Sequence, residues 1–264
     1  MKITAHCLVK NEEKFIWYAL NSVIDYVDKI LVWDTGSTDN TVKIIKSIKN
    51  NKIEFEEKGA TDAAGVTKFR KEMINKIDTD WIMLLDGDEI WYENALLEIK
   101  EEIDKNPKKY SVVVVPTIML IGDIFHKQEN MAGRYKIHNK KGHYNVRFVN
   151  KNIKGLRVAG IYGKYPYESF VDFFGTKVQE FPKEKIFFSR EPYLHASHLL
   201  RSARAGKKFK YEIGDSLPLD FYYPEVFFKD RPEIVPSPWR TMSLSYKFRA
   251  LLETPLKKIK RRLI

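Results

Sequence analysis

The densest chemistry in the chain is Asp86-Gly87-Asp88, followed at once by Glu89. Two carboxylates one small residue apart can turn into a common cavity, and glycine lets a ligand phosphate approach the backbone. Such oxygens suit a hard divalent cation, Mg²⁺ or Mn²⁺, that keeps positions open for substrate phosphates. Glu89 can accept hydrogen bonds behind such ligands or open a helix. Asp-Gly is also a common turn pair, and a plain turn remains an alternative. The preceding apolar run, 80–85 (DWIMLL), favours the cation-holding reading. Asp34 ends another apolar run, 29–33 (KILVW), and opens Asp34-Thr35-Gly36-Ser37-Thr38-Asp39. A carboxylate there can accept from a nucleobase N–H or a ribose hydroxyl, while Asp39 can cap the next helix. Neither cluster is a Walker loop or a GxGxxG fingerprint.

The elements that must carry these residues alternate. Residues 2–9 read as a strand, followed by a helix with Phe15, Ile16, Ala19, Leu20, Val23 and Ile24 on one broad face. Residues 29–33 form a second strand. Ser37 or Thr38 is placed to cap a helix with Val42, Ile45 and Ile48 toward the core. An edge-like strand at 52–57, a helix over 62–77, the strand 80–85, a helix over 93–105 and a strand at 110–116 follow. This order predicts an α/β, Rossmann-like, mostly parallel sheet flanked by helices. In such sheets ligands sit beyond the carboxyl ends of the strands, where 10–13, 34–39 and 86–89 would meet. The second half is less regular, with short strands at 133–138, 144–149, 156–162 and 185–189. A basic helix is expected over 197–211, then a wrap rich in Pro and aromatic residues, and a terminal helix from about 240 to 262 that Pro255 interrupts.

The chain has 264 residues, 44% of them hydrophobic and 31% charged, which excludes a mostly disordered chain. Cys7 stands alone, so disulfide scaffolds and cysteine-rich zinc sites are excluded. No apolar run reaches the roughly 18 residues of a membrane span, and the first residues hold no signal-peptide core. The chain is therefore expected in the cytoplasm, unless it is tethered from there. Net charge is +11, concentrated in two stretches. Residues 127–164 hold ten Lys and Arg against Glu129; residues 247–264 hold seven against Glu253. Such patches point to an anionic partner or a solvated face. In the tail, Phe248, Leu251, Leu252, Leu256, Ile259 and Leu263 can form one stripe beside Lys257, Lys258, Lys260, Arg261 and Arg262. Binding to an anionic membrane surface and docking on the protein's own core are both open readings.

Three segments, LVKNEE at 8–13, VWDTGSTDNT at 32–41 and DWIMLLDGDE at 80–89, together resemble family 2 glycosyltransferases of the GT-A fold. The resemblance covers roughly 1–118 and is weak afterwards. It implies a nucleotide-sugar-binding core over 1–118, an acceptor-side part of the same catalytic domain over 119–212, and a wrap with a basic amphipathic tail over 213–264. It assigns Asp34 to the nucleobase, Asn11 and Glu12 to the nucleotide pocket, and Arg70 to the neighbourhood of the diphosphate. Relatives often carry Asn after that arginine; Lys71 stands here. Asp86 and Asp88 match the DxD motif, Asp88 as metal ligand and Asp86 nearer the ribose, with Mn²⁺ or Mg²⁺ as cofactor. His195 fits a further metal ligand, and a helix would place it on one face with His198; a capping or core histidine is the plain alternative. Family members resemble one-step inverting catalysts with a late carboxylate as base. Glu168 is preferred over Asp172, and local turn-capping is the alternative for both. The implied activity moves sugar from a nucleotide-diphosphate donor to a glycan acceptor, lipid-linked or phosphorylated, in cell-surface polysaccharide assembly. Sugar-phosphate nucleotidyltransferase and basic nucleic-acid-binding protein are the competing classes. No RNP or zinc-finger pattern supports a specific nucleic-acid partner.

Overall fold

A computed structural model describes residues 1–200 and 210–263. Its first half is the expected alternation: β1 (Ile3–Val9), α1 (Ile16–Val23), β2 (Lys29–Asp34), α2 (Thr41–Ser47), β3 (Ile53–Glu57), α3 (Ala63–Asn75) and β4 (Trp81–Leu84). Then come β5 (Glu89–Trp91), α4 (Glu93–Lys105), β6 (Val112–Ile121) and β7 (Asp123–Lys127). The small strands β8 (Tyr135–Ile137) and β9 (Lys140–Gly142) pair with each other. They are followed by β10 (Tyr144–Asn150), β11 (Arg157–Ile161), β12 (Lys164–Val171), β13 (Ile186–Phe188), β14 (Tyr193–His198), β15 (Asp215–Ser216) and α5 (Leu244–Arg262).

The main sheet runs β15-β7-β6-β10-β4-β1-β2-β3. Strands β4, β1, β2 and β3 are parallel neighbours, the arrangement expected of an α/β core. β10 lies antiparallel between β4 and β6. β13 and β14 run parallel to β6, and β5 pairs antiparallel with β14. Strands buried on both faces need apolar residues at every position, with alternate side chains going to opposite sides. β4 does this: Trp81 and Met83 join the larger core with α1 and α4, whereas Ile82 joins a second core with Ile74 of α3 and Ile77 just beyond it. At the larger core's centre Trp91 stacks on Tyr193, centroids 4.7 Å apart, and meets Phe148 edge-on at 5.7 Å. A division after residue 118 runs through β6, and β10 from the second half completes the first half's sheet.

Several sequence expectations are corrected. The helix expected over 197–211 does not begin at 197: Ser197 and His198 end strand β14, because β5 and β6 both offer it ladder partners. Residues 199, 200, 210 and 211 are not helical either, and 201–209 lie outside the described residues. His195 and His198 are therefore placed by a strand, with a register irregularity between them, and not by a helical three-residue spacing. Glu89 opens β5, not a helix. α2 turns Ile44 and Ile45 inward while Val42 is half-buried. Neither Ser37 nor Thr38 is its cap; the preceding Asn40 takes that place, and Asp39 Oδ1 accepts from Thr41 N at 3.0 Å. Pro255 does not interrupt α5, which continues across it. Pro255 is on the exposed side, so the carbonyl one turn earlier that loses its N–H partner can be hydrated.

Candidate active site

Strand register brings the three polar clusters to one edge. Val9 lies beside Asp34, His6 lies beside Leu84, and Leu85 N donates to His6 O at 3.0 Å. The loops after β1, β2 and β4 therefore leave the sheet side by side, as the topology demands. Gly87 lies against the first of them: a Cβ there would stand 3.1 Å from Val9 Cγ2 and 3.2 Å from Glu12 Cγ.

The first two loops are stitched together. Asn11, at φ 56°, accepts from Thr38 N through Oδ1 at 2.7 Å, and its own N–H donates to Ser37 Oγ at 2.8 Å. Asparagine tolerates the left-handed region better than most residues. Glu12 N donates to Thr41 Oγ1 at 2.7 Å, and Glu13 Oε2 accepts from Asn40 N at 3.1 Å. Asp34 is buried and shapes its own loop. Its Oδ2 accepts from Gly36 N at 2.9 Å and Ser37 N at 3.0 Å, and its Oδ1 accepts from Ser37 Oγ.

Around the DGDE turn, Asp86, Glu89 and His195 each present one ligand atom, all within 4.8 Å of one another. β14 is tied to this turn by Ala196 N donating to Asp88 O at 2.9 Å, and the register pairs His195 with Glu89. Asp88, 4% exposed, holds His195 Nε2 at 3.3 Å from its Oδ2. Arg147 reaches the same oxygens from β10. Its guanidinium pairs with Glu89 Oε1, lies 3.4 Å from Asp86 Oδ2, and donates through Nε to the Tyr193 hydroxyl at 2.9 Å. Arg147 is the extra residue in a β-bulge between Val146 and Phe148, which re-aims its side chain.

The electrostatics record how closely the acids converge. Burial pushes the Glu89 carboxyl up to about 7, against the pull of Arg147, with Asp86 and Asp88 adding to the rise. Burial would lower His195, but Asp88 and then Glu89 outweigh it and the imidazole titrates above its ordinary value. The buried Cys7 thiol is pushed well up, first by desolvation and then by Asp86, Glu12, Glu89 and Asp88 together. Two carboxylate oxygens and one imidazole nitrogen fit Mn²⁺ well and Mg²⁺ less closely. The cation would be held by Asp86, Glu89 and His195, with Asp88 orienting the imidazole.

Glu168 lies in a second group beside this one. Its Oε1 is 2.5 Å from Arg70 Nε, and its Oε2 accepts from Thr67 Oγ1 at 2.7 Å, so α3 holds it at two points. Thr67 Oγ1 accepts in turn from Tyr162 N at 2.9 Å. The Tyr162 phenol is raised by desolvation first, then by Asp86; Arg70 works against this, and Asp88 and Glu168 add to it. Both groups thus share one neighbourhood. Asp172 is elsewhere occupied: its Oδ1 accepts from Thr176 N at 2.8 Å, closing a turn. Sequence reasoning gave Glu89 only a supporting place and missed Arg147 and Tyr193. The available signal was a lone arginine inside the strand YNVRFVN.

A family model described as "Glycosyl transferase family 2" matches residues 7–162. An uncharacterized glycosyltransferase of Rickettsia typhi is 28% identical over 228 residues, which are 79% of this chain and 70% of that protein. The SPbeta prophage-derived glycosyltransferase SunS of Bacillus subtilis is 37% identical over 90 residues, 34% of this chain but only 20% of SunS. Among solved structures, S. aureus TarS 1–349 in complex with UDP-GlcNAc gives a TM-score of 0.48 at 16% identity, covering 80% of this chain and 63% of that one. The family match spans more than half of the sequence and contains all three N-terminal loops and Arg147, so the chain belongs to glycosyl transferase family 2 and is a glycosyltransferase.

Proposed function

We propose that the chain transfers a sugar, with inversion, from a nucleotide-diphosphate donor to a glycan acceptor in a divalent-cation-dependent reaction. The observation that carries this is the meeting of Asp86, Glu89 and His195 at the carboxyl edge of the sheet, beside the stitched loops of Asn11 and Asp34. In this reading Asn11, Glu12 and Asp34 shape the nucleoside end of the pocket. Asp86, Glu89 and His195 would hold the divalent cation, which would supply positive charge to a departing diphosphate. Arg70, on the Glu168 side, adds a second positive charge near that path. Glu168 is the general base: it must leave Arg70 or share it to reach an acceptor hydroxyl. Asp172 is the runner-up for that role. Acceptor binding falls to the basic second half, where the exposed rings of Tyr162, Tyr165 and Tyr167 flank Lys164. Flat rings and cations suit a phosphorylated or lipid-linked glycan, and assembly of cell-surface polysaccharide is the setting that fits such an acceptor.

The test is a screen of nucleotide-sugars with Mn²⁺ or Mg²⁺, reading release of the nucleoside diphosphate. At least one donor should be hydrolysed, and Asp88→Ala should lose most of that activity. Glu168→Gln should still bind donor but fail to transfer. Pyrophosphate release from a nucleoside triphosphate and a sugar phosphate would replace this reading with a nucleotidyltransferase. Binding of no donor at all would remove it.

A further inference from the structure

Helix α5 is docked by the wrong face for an ordinary surface helix. Amphipathic helices normally bury their apolar stripe and expose the polar one. Here the inward residues are Tyr246, Ala250, Thr254, Lys257 and Arg261, spaced three or four apart. Tyr246 and Ala250 pack with Met242, Tyr211 and Ile213 in a small apolar cluster, and polar contacts make the rest of the seam. Tyr246 OH accepts from Glu212 N at 3.2 Å, and Thr254 Oγ1 accepts from Ile213 N at 2.8 Å. Lys257 Nζ donates to Tyr211 O at 2.7 Å. The Arg261 guanidinium reaches both oxygens of buried Glu212, at 2.5 and 2.6 Å, and Glu129 Oε1 at 2.9 Å.

The opposite side is greasy and open. Leu244, Phe248, Leu251, Leu252, Leu256, Ile259 and Leu263 are each more than half exposed. At 3.6 residues per turn they cover an arc of about 140° roughly opposite the docked seam. Besides these, only Ser245, Pro255 and, in the last turn, Arg262 fall within it. Cations border the arc on both flanks: Lys247 and Lys258 on one, Arg249 and Lys260 on the other. Glu253 is the one acid of the helix, and it lies outside the arc, bonded to Arg249 and Lys257. The positive border continues past the first turn. Arg249 also lines a cavity of about 380 Å³ together with Lys14 and Arg240.

We infer that α5 is an in-plane anchor that lays its outward stripe into a bilayer bearing anionic headgroups. A leucine-rich arc edged by cations matches the acyl boundary and the phosphates above it. Among the described residues no helix is long and apolar enough to cross a membrane, so the helix would lie on the surface. A second copy is a poorer occupant, because two such faces would bring their lysine borders together. The inference does not depend on which donor the enzyme uses.

The test is co-sedimentation of the full chain with phosphatidylcholine vesicles, with and without phosphatidylglycerol, at low and high salt. Wild type should pellet with the anionic vesicles and be released by salt. Leu251→Ser/Leu252→Ser/Leu256→Ser should weaken partitioning by about tenfold or more. Lys247→Gln/Lys258→Gln/Lys260→Gln should remove the preference for phosphatidylglycerol. Donor hydrolysis without vesicles should be unchanged in both variants, which shows that they are folded and keeps this outcome separate from the enzymatic one. Wild type remaining in the supernatant with anionic vesicles would overturn the inference, as would equal binding by the leucine variant. So would a dimer, seen by sedimentation, that the leucine substitutions dissolve.

Discussion

At the residue scale the site turns on Glu89 and the groups that hold it. The carboxyl is fully buried and faces Arg147, Asp86 and His195. Burial keeps its proton on up to about 7, whereas an unfolded chain releases it near 4.5. The folded form therefore binds the proton more tightly over that interval. This group's contribution to stability is whole below about pH 4.5 and is lost as pH rises through about 7. In the presence of a chelator, wild type should thus lose on the order of 1–3 kcal/mol relative to Glu89→Gln between about pH 5 and pH 8. Adding Mn²⁺ at the higher pH should restore wild type and not the variant, because a ligand to the folded state alone stabilises it. Denaturant titrations at the two pH values decide this; parallel curves for the two proteins would remove Glu89 from the cation site. The sequence showed Asp86, Asp88 and Asp34 as chemistry because each ends an apolar run, a local signal. It could not show that Glu89 and not only its neighbours joins Asp86 and His195 in one cluster. That depends on Arg147, whose direction is set by a bulge in β10 and on a strand partner more than 60 residues away.

At the scale of elements, the β2–α2 loop is where sequence and geometry agree most tightly. Gly36 sits at φ +87°, and a Cβ there would meet the Ala60 backbone at 2.8 Å. Both its conformation and its space exclude a side chain. Its N–H is also one of the donors that hold the Asp34 carboxylate. Gly36→Ala should therefore cost about 2 kcal/mol of stability and weaken nucleotide binding by a larger factor than cation binding. Thermal denaturation and nucleoside-diphosphate titration with and without Mn²⁺ would show it; equal losses for nucleotide and cation would mean that the loop serves the whole site. Helices with a full apolar period, such as α4 with Ala95, Leu96, Ile99 and Ile103 inward, were legible to within a residue. Short strands were legible as strands, but their neighbours were not. β14 was split between a histidine motif and a helix start, because YLHASHLL suits either and only pairing with β5 and β6 decides it.

At the scale of the molecule, the order of strands makes the catalytic domain indivisible at the place where the sequence changes character. The motif-bearing first half reads as a nucleotide-sugar-binding α/β core, with residues 119–212 as an acceptor-side part of the same catalytic domain. The sheet gives a physical reason why a cut after residue 118 would not leave a stable core. β10 fills the position between β4 and β6, so without it the buried strand Trp81–Leu84 becomes an open edge. The cut would also remove Phe148 and Tyr193 from around Trp91, leaving a cavity beneath the DGDE turn. It would take away Arg147 and His195 as well, so the carboxylates would face one another without compensating charge. An unpaired edge, a hollow core and uncompensated acids each cost several kcal/mol, comparable with the whole stability of a domain. Residues 1–118 produced alone should lack a cooperative thermal transition and dispersed amide resonances, and addition of Mn²⁺ should not rescue them. Adding residues 119–200, which supply β10 and β14, should bring back the buried Trp91 environment, read as a blue shift in tryptophan emission. A cooperatively folding 1–118 fragment that binds nucleotide would show that the first half is a domain of its own, with β10 and β14 as later additions to a sheet that is stable without them.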